Sequence, residues 1–310
     1  MGFAVRTLDA AVAPELGDVL PVCSRVVGPV EELSFLRRSL LFGELSAICY
    51  LSRAEAGRLA FRIGFPEIRY YDRDGAQAYI FGNNHDRVVV CRGTEPNDWN
   101  DIRADLDLAT VIAETAGRVH RGFKREVDDL WPRLEQALKN NQLPLWFTGH
   151  SLGGAMATIC ASRCQLSYIK SNPRSLYTYG SPRVGNRQYI DFVHYEAYRW
   201  VNNNDIVARV PPWWLGYRHK GQEMYLDSRG EIQRLTTWQR MKDRWRGFLG
   251  GLAKWEFDHF TDHSITRYVE YIQRAVEREE SFDHKILAFR RPQLPPARHL
   301  QPAQEQRHAA

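Results

Sequence analysis

The chain has 310 residues, of which 44% are hydrophobic and 25% charged, an ordinary globular composition with enough apolar material for one large α/β domain or two smaller ones. Its 42 Lys and Arg are interspersed with 37 Asp and Glu for a net charge of +5, which excludes the concentrated basic footprint of a nucleic-acid binder and leaves weak attraction to anionic membranes or substrates. Five cysteines, an odd number without CxxC or metal-ligand spacing, read as reduced, mostly buried thiols of a cytoplasmic protein.

Residues 1–30 carry scattered Pro and Gly with weak periodicity and are expected to form an irregular N-terminal arm. No charged stretch there precedes a long apolar core, so no secretory leader is expected, and no apolar run approaches bilayer-spanning length. Across residues 31–62, Leu33, Leu36, Leu40, Leu41, Leu45 and Ile48 recur at helical spacing, which predicts two helices ahead of a sheet. Three strands follow over 67–71, 77–81 and 87–91, parted by Asp-Gly and Asn-Asn turn signals. Helix and strand then alternate: a helix over 123–139 before strand 145–148, a helix after Gly153 before strand 176–179, and a helix over 187–197 before strand 198–201. Such alternation predicts an α/β fold whose mostly parallel sheet carries helices on both faces. One domain over 31–280 holds these elements, and residues 281–310, rich in Pro, Arg and Gln, are expected to form an extended or disordered tail.

The sharpest chemical signal is Gly149-His150-Ser151-Leu152-Gly153, a G-x-S-x-G directly after the apolar stretch Leu145-Trp146-Phe147-Thr148. A serine on a very tight strand-to-helix turn stands exposed above the sheet, and the residues two before and two after it must lack side chains so that strand and helix can approach. The helix beyond points its free amides at negative charge developing on a reacting group. Ser151 is therefore the candidate nucleophile. His150 is adjacent to it, cannot fold back onto it, and reads as a packing residue.

A nucleophilic serine needs a base to take its proton and an acid to orient that base, in the chain order Ser, Asp, His for this kind of turn. Asp205 fits the acid, because Arg199-Trp200-Val201-Asn202-Asn203-Asn204-Asp205 is a short strand running into a polar turn. A turn aspartate that caps local backbone would look the same; Asp191, inside a helix, and Asp227, in a hairpin-like segment, fit less well. His263 fits the base: it lies on a loop ahead of an apolar-periodic helix (Ile265, Tyr268, Val269, Ile272). His259, within an aromatic helical run, is its rival.

Five ordered blocks resemble the class 3, or fungal-type, lipases: Val88-Val89-Val90-Cys91-Arg92-Gly93-Thr94, Val119-His120-Arg121-Gly122-Phe123, Thr148 through Gly154, Tyr177-Thr178-Tyr179-Gly180-Ser181-Pro182-Arg183-Val184-Gly185, and Asn202 through Pro211 with Asp262-His263. The likeness covers residues 70–275. It implies an α/β-hydrolase fold with a mostly parallel sheet, helices on both faces and a lid helix over the site, and a catalytic triad of Ser151, Asp205 and His263. It also implies an oxyanion hole built from the amide and hydroxyl of Thr94 and the amide of Leu152. The implied activity is that of a serine carboxylic-ester hydrolase, a triacylglycerol lipase or carboxylesterase that cleaves acylglycerol-type esters through an acyl-enzyme on Ser151, with no metal or organic cofactor. A phospholipase A1-like enzyme or a short-chain esterase is the alternative, and a non-catalytic lipase-like module is the reading from another class. His120 is expected to hold the base of the lid.

In the lid region Trp99, Ile102 and Leu106 fall three and four apart on an otherwise acidic helix, a stripe that would cover the pocket when closed and face lipid when open. A surface helix with one anchoring Trp has the same pattern. Pro211-Pro212-Trp213-Trp214-Leu215 follow the Asp205 strand, where loops at carboxyl ends of strands build sites, and read either as lining of an acyl pocket or as core. Over 237–260, Trp238, Met241, Trp245, Phe248, Leu249, Leu252 and Trp255 recur at helical spacing while Arg240, Lys242, Arg244, Arg246 and Lys254 take other faces. That suits a basic helix in a membrane interface, and equally aromatics packed on the sheet with arginines in water. The expected partners are an ester or lipid substrate and, through 237–260, a peripheral membrane, with no nucleic acid.

Overall fold

The computed structural model describes residues 22–93, 109–192, 194–233 and 262–290. The chain divides into two units, residues 1–276 and 277–310. Helices α1 (Phe35–Ile48) and α2 (Arg53–Ile63) lead into strands β1 (Glu67–Arg73), β2 (Ala76–Gly82) and β3 (Arg87–Cys91). There follow β4 (Thr110–Ile112), β5 (Arg118–His120), α3 (Arg121–Leu138), β6 (Leu145–His150), α4 (Leu152–Arg163) and β7 (Pro173–Tyr179). The first unit continues through β8 (Gly185–Asn186), α5 (Arg187–Phe192), β9 (Glu196–Asn202), β10 (Tyr217–Arg218), β11 (Gln222–Leu226) and β12 (Ile232–Gln233), and α6 (Ile265–Arg290) begins in it. Of the second unit, the described residues are the end of α6.

Among the described residues one 8-stranded sheet runs in the order β1-β2-β3-β6-β7-β9-β11-β12. Its centre is parallel, β3 with β6, β6 with β7, β7 with β9 and β9 with β11, and antiparallel strands finish both edges. Successive strand residues point to opposite faces, and both faces here are apolar. Val88, Val90, Trp146, Tyr177 and Trp200 pack with Phe42 and Leu45 of α1 and Tyr268 and Ile272 of α6. Val89, Cys91, Leu145, Phe147 and Leu176 pack with Val127 and Leu130 of α3 and Ala155 and Ile159 of α4. This is the mixed α/β architecture that the alternation of elements predicts. A small sheet in the order β10-β8-β5-β4 gathers the segments that leave the carboxyl side of the large one.

Two local expectations change, and a third gains a detail. The helix read over 187–197 stops at Phe192, because Glu196 and Ala197 are taken into the ladder opposite Ser175 and Leu176 of β7; cross-strand pairing overrides local propensity. Helix α6 runs to Arg290, so the first ten residues of the stretch 281–310 are helical rather than extended, as good helix formers such as Lys285, Leu287 and Ala288 allow. The described part of the N-terminal arm is irregular as expected but is bound down. Val26 is buried and its amide donates to Ile63 O at 2.7 Å, while the amides of Cys23 and Ser24 donate to the Glu44 carboxyl group.

Phe42 is fully buried between the sheet and α1, its ring centroid 4.7 Å from Tyr177 and 5.6 Å from Trp146. Phe42→Ala is expected to lower unfolding free energy by about 3–5 kcal/mol in urea titrations. Phe61→Ala, at a 68% exposed position of α2, is expected to stay within about 0.5 kcal/mol of the parent.

Candidate active site

Strand β6 ends at His150 and α4 begins at Leu152, so Ser151 alone makes the reversal from strand to helix. Its backbone sits at φ 59°, ψ −133°, a region that costs a non-glycine residue roughly 1–3 kcal/mol and persists where the surroundings over-determine it. The surroundings do so here: the Ser151 amide donates to Tyr179 O at 2.9 Å. A Cβ on Gly153 would lie 2.1 Å from Cys91 O, and one on Gly149 2.4 Å from Gly153 O, so any side chain at either would push the helix off the sheet. Leu152 is the first residue of α4, where amides have no partner within the helix.

Three side chains converge on this turn. Ser151 Oγ lies 2.8 Å from His263 Nε2, and His263 Nδ1 lies 3.0 Å from both carboxyl oxygens of Asp205. All three are buried. A carboxylate only accepts, so the Nδ1 of His263 carries the ring proton and Nε2 is left bare to accept from the serine hydroxyl. Asp205 is further held by the Val207 amide at 2.9 Å and the Tyr268 hydroxyl at 2.6 Å. Burial, and after it the adjacent Asp205 charge, raises the Tyr268 phenol well above its ordinary range, so it stays a donor to the carboxylate. Asn202 and Asn203 donate to the backbone and side chain of Asp262, tying the loop of His263 to the loop of Asp205.

Gly180 makes room for the pair. It stands at φ +57°, and a Cβ there would lie 2.6 Å from Asp205 Oδ2 and 2.9 Å from His263 Nδ1. The Tyr-Gly-Ser-Pro stretch after β7 is thus a clearance for the imidazole and carboxylate above it.

The other candidates lie elsewhere. Asp191 is on α5, paired with Arg187, and Asp227 turns the β11–β12 hairpin by accepting from the amides of Arg229 and Glu231. Thr94, Trp99, Ile102, Leu106, His259 and the segment 237–260 lie outside the described residues. His120 caps α3 and stacks on Phe123 with centroids 4.0 Å apart. Trp213, Trp214 and Leu215 form an exposed turn, about half accessible, and so are not core. Sequence reasoning missed Tyr268, which looked like one more position of an apolar stripe, and read His150 as simple packing. A phenol inside that stripe was the available hint for the first, since a buried tyrosine hydroxyl needs a partner. His150 Nε2 lies 2.7 Å from the backbone oxygen of His263.

Residues 88–214 match the family described as lipase (class 3). The chain is 39% identical over 169 residues to a secreted mono- and diacylglycerol lipase 1 of Fusarium solani, covering 50% of this chain and 49% of the relative. It is 36% identical over 203 residues to a phospholipase A1-II 1 of Oryza sativa subsp. indica, covering 53% and 50%. The chain thus spans about half the length of these curated relatives. The solved structure of a triacylglyceride lipase from Rhizomucor miehei superposes with a TM-score of 0.56 at 23% identity, over 64% of this chain and 83% of that one, a likeness of fold.

Gly180→Ala is expected to keep the far-ultraviolet spectrum of the folded chain while slowing covalent labelling of Ser151 by a fluorophosphonate about 100-fold, since a displacement on the order of 1 Å can cost that much. Labelling at the parent rate would show that the clearance beneath the imidazole is not needed.

Proposed function

We propose that this chain, whose residues 88–214 match the class 3 lipase family, belongs to that family and is a serine carboxylic-ester hydrolase acting on acylglycerol-type esters. The observation that carries the proposal is the buried relay from Ser151 Oγ through the His263 imidazole to Asp205. In this reading His263 Nε2 takes the hydroxyl proton as Ser151 Oγ attacks the ester carbonyl, and the oxyanion of the tetrahedral intermediate is met by the Leu152 amide at the head of α4 and by Thr94. Collapse expels the alcohol, which receives the proton from His263, and leaves an acyl group on Ser151. Water, deprotonated by the same nitrogen, then attacks the acyl-enzyme and releases the carboxylic acid. Asp205 holds the imidazole in the tautomer with Nδ1 protonated and stabilises the imidazolium that forms twice in each cycle.

An acylglycerol substrate is favoured by the likeness to the Fusarium relative, and a phospholipid cleaved at one acyl ester is the second reading, favoured by the likeness to the rice relative. Peripheral contact with a lipid surface belongs to the same proposal. Trp213, Trp214 and Leu215 are 49%, 55% and 48% exposed on the turn that follows Asp205, and residues 207–220 include Arg209, Arg218 and Lys220 but neither Asp nor Glu. Large aromatics beside cations suit the interface of an anionic bilayer, and the stretch 237–260 has the same aromatic and basic composition. A cytoplasmic setting belongs to the same proposal, supported by five cysteines of which none is paired in a disulfide.

Ser151→Ala and Asp205→Asn are each expected to lower ester hydrolysis by about 10⁴-fold with the fold intact. The assay is a chain-length series of p-nitrophenyl esters with a phospholipid beside it; more than a tenth of parent activity in purified Ser151→Ala would reject the assignment. Replacing Trp213 and Trp214 together with Ser is expected to weaken binding to phosphatidylcholine–phosphatidylglycerol vesicles by about 10-fold in co-sedimentation, with soluble-ester hydrolysis unchanged. Equal binding by that double variant would remove this turn from the lipid contact.

A further inference from the structure

The residue next to the proposed nucleophile does more than pack. His150 Nε2 is 2.7 Å from the backbone oxygen of His263, and His150 Nδ1 is 3.0 Å from the Tyr50 hydroxyl. A carbonyl oxygen only accepts, so Nε2 must carry the proton of the His150 ring; Nδ1 is then bare and accepts from the phenol of Tyr50. The two contacts select one tautomer of one neutral imidazole. Its ring lies against the His263 ring with centroids 4.6 Å apart and planes 33° from parallel. Burial first, and then the proximity of His263, hold the His150 ring well below its ordinary pKa, so it donates a hydrogen bond without bringing a charge.

We infer that His150, oriented by Tyr50, is a positioning residue that pins the backbone of His263 and thereby sets the imidazole between Ser151 and Asp205. The inference rests on the reading of Ser151, His263 and Asp205 as a hydrolytic triad. The carbonyl of His263 precedes the first turn of α6, in which the amides of Arg267 and Tyr268 donate to Ser264 O, so it lies outside that helix's ladder and needs a donor from elsewhere. The base sits 30 residues beyond the end of β12 at Gln233, too far along the chain for that strand's register to set its place. Three contacts correct this. The bonds from Asn202 and Asn203 to Asp262 hold one side of the residue, and the bond from His150 holds the other.

His150 also travels with the nucleophile, since it is the last residue of β6. Nucleophile and base therefore share one anchor, and a shift of the elbow carries the imidazole with it. A lysine or arginine could donate to the same carbonyl, but its charge beside His263 would oppose formation of the imidazolium. A neutral donor with a flat face, locked in one tautomer, avoids that conflict. Tyr50 keeps the lock, and the Arg92 guanidinium lies 5.5 Å from its ring centroid while donating to Gln77.

The test compares His150→Phe, which keeps a flat ring and loses both nitrogens, with His150→Gln, whose amide can restore the donor to His263 O. The readouts are kcat and KM on a soluble p-nitrophenyl ester, the rate of fluorophosphonate labelling of Ser151, and Tm. His150→Phe is expected to lose about 30-fold in kcat and in labelling rate with KM unchanged, and His150→Gln to recover to within about 5-fold of the parent. Tyr50→Phe, at a half-buried position, is expected to lose about 5-fold in kcat and should add little when combined with His150→Phe. The inference is overturned if His150→Phe keeps kcat within 2-fold of the parent, if His150→Gln is as slow as His150→Phe at equal Tm, or if the loss lies in KM. Should His150→Phe fail to fold, an unchanged kcat in Tyr50→Phe overturns it instead. A parent protein that fluorophosphonate does not label at Ser151 would sink the hydrolase reading, and this inference with it; a labelled parent with an equally labelled His150→Phe would sink this inference alone.

Discussion

A carboxyl group sealed from water is the constraint around which the site is arranged. Asp205 has no exposed surface, and an ionised carboxylate in such a place costs several kcal/mol unless donors replace the water it has lost. Three donors do: the Nδ1 of His263 across both oxygens, the Val207 amide and the Tyr268 hydroxyl. Hydrogen bonds to a charged group each contribute roughly 1.5–3 kcal/mol, and removing one leaves the charge undersatisfied. The imidazole and the first turns of α6 are thus held to the loop after β9 by the same need, and the orientation of His263 follows from solvating Asp205.

The parallel sheet supplies the scale. Ser151 follows β6 directly, Gly180 follows β7 directly, and Asp205 lies three residues past the end of β9; these three strands are neighbours in that order. Adjacent strands are about 4.8 Å apart, so two strand spacings separate the loop of the serine from the loop of the aspartate, a gap that an imidazole with a hydrogen bond at each end can bridge. The loop in the middle must stay below the bridge, and only a residue without Cβ does so at Gly180. In the same geometry, a tight turn after β6 raises the serine to the height of the ring. The clearance at Gly180 and the raised Ser151 are two demands of one bridge across adjacent loops.

The second imidazole fits this economy. His150 and Tyr268 pack around His263 with ring centroids 4.6 Å from His150 to His263 and 6.2 Å from His150 to Tyr268, and every polar atom named in the cluster faces a partner across 58 or more residues of chain. Such a network is stabilising when complete and costly when broken, which favours one arrangement of the His263 ring.

What the sequence alone determined was whatever is written in a short window. The apolar run before Gly149, the glycines at 149 and 153, the strand ending near Asn202 and the histidine ahead of a periodic helix each report a local geometry, because pleat, turn and helix impose periods and clearances on neighbours in the chain. Those windows named Ser151, Asp205 and His263 and the α/β class. They did not show that Glu196 and Ala197 leave a helix-like run to pair with β7, or that helix continues to Arg290. Nor could they tell that Tyr268 in an apolar stripe grips a carboxylate 63 residues earlier, that His150 reaches a carbonyl 113 residues later, or that Gly180 is there for the sake of Asp205 and His263. Each of these depends on which strands lie side by side, and a hydrogen bond or a steric clearance between distant segments leaves no period in either of them.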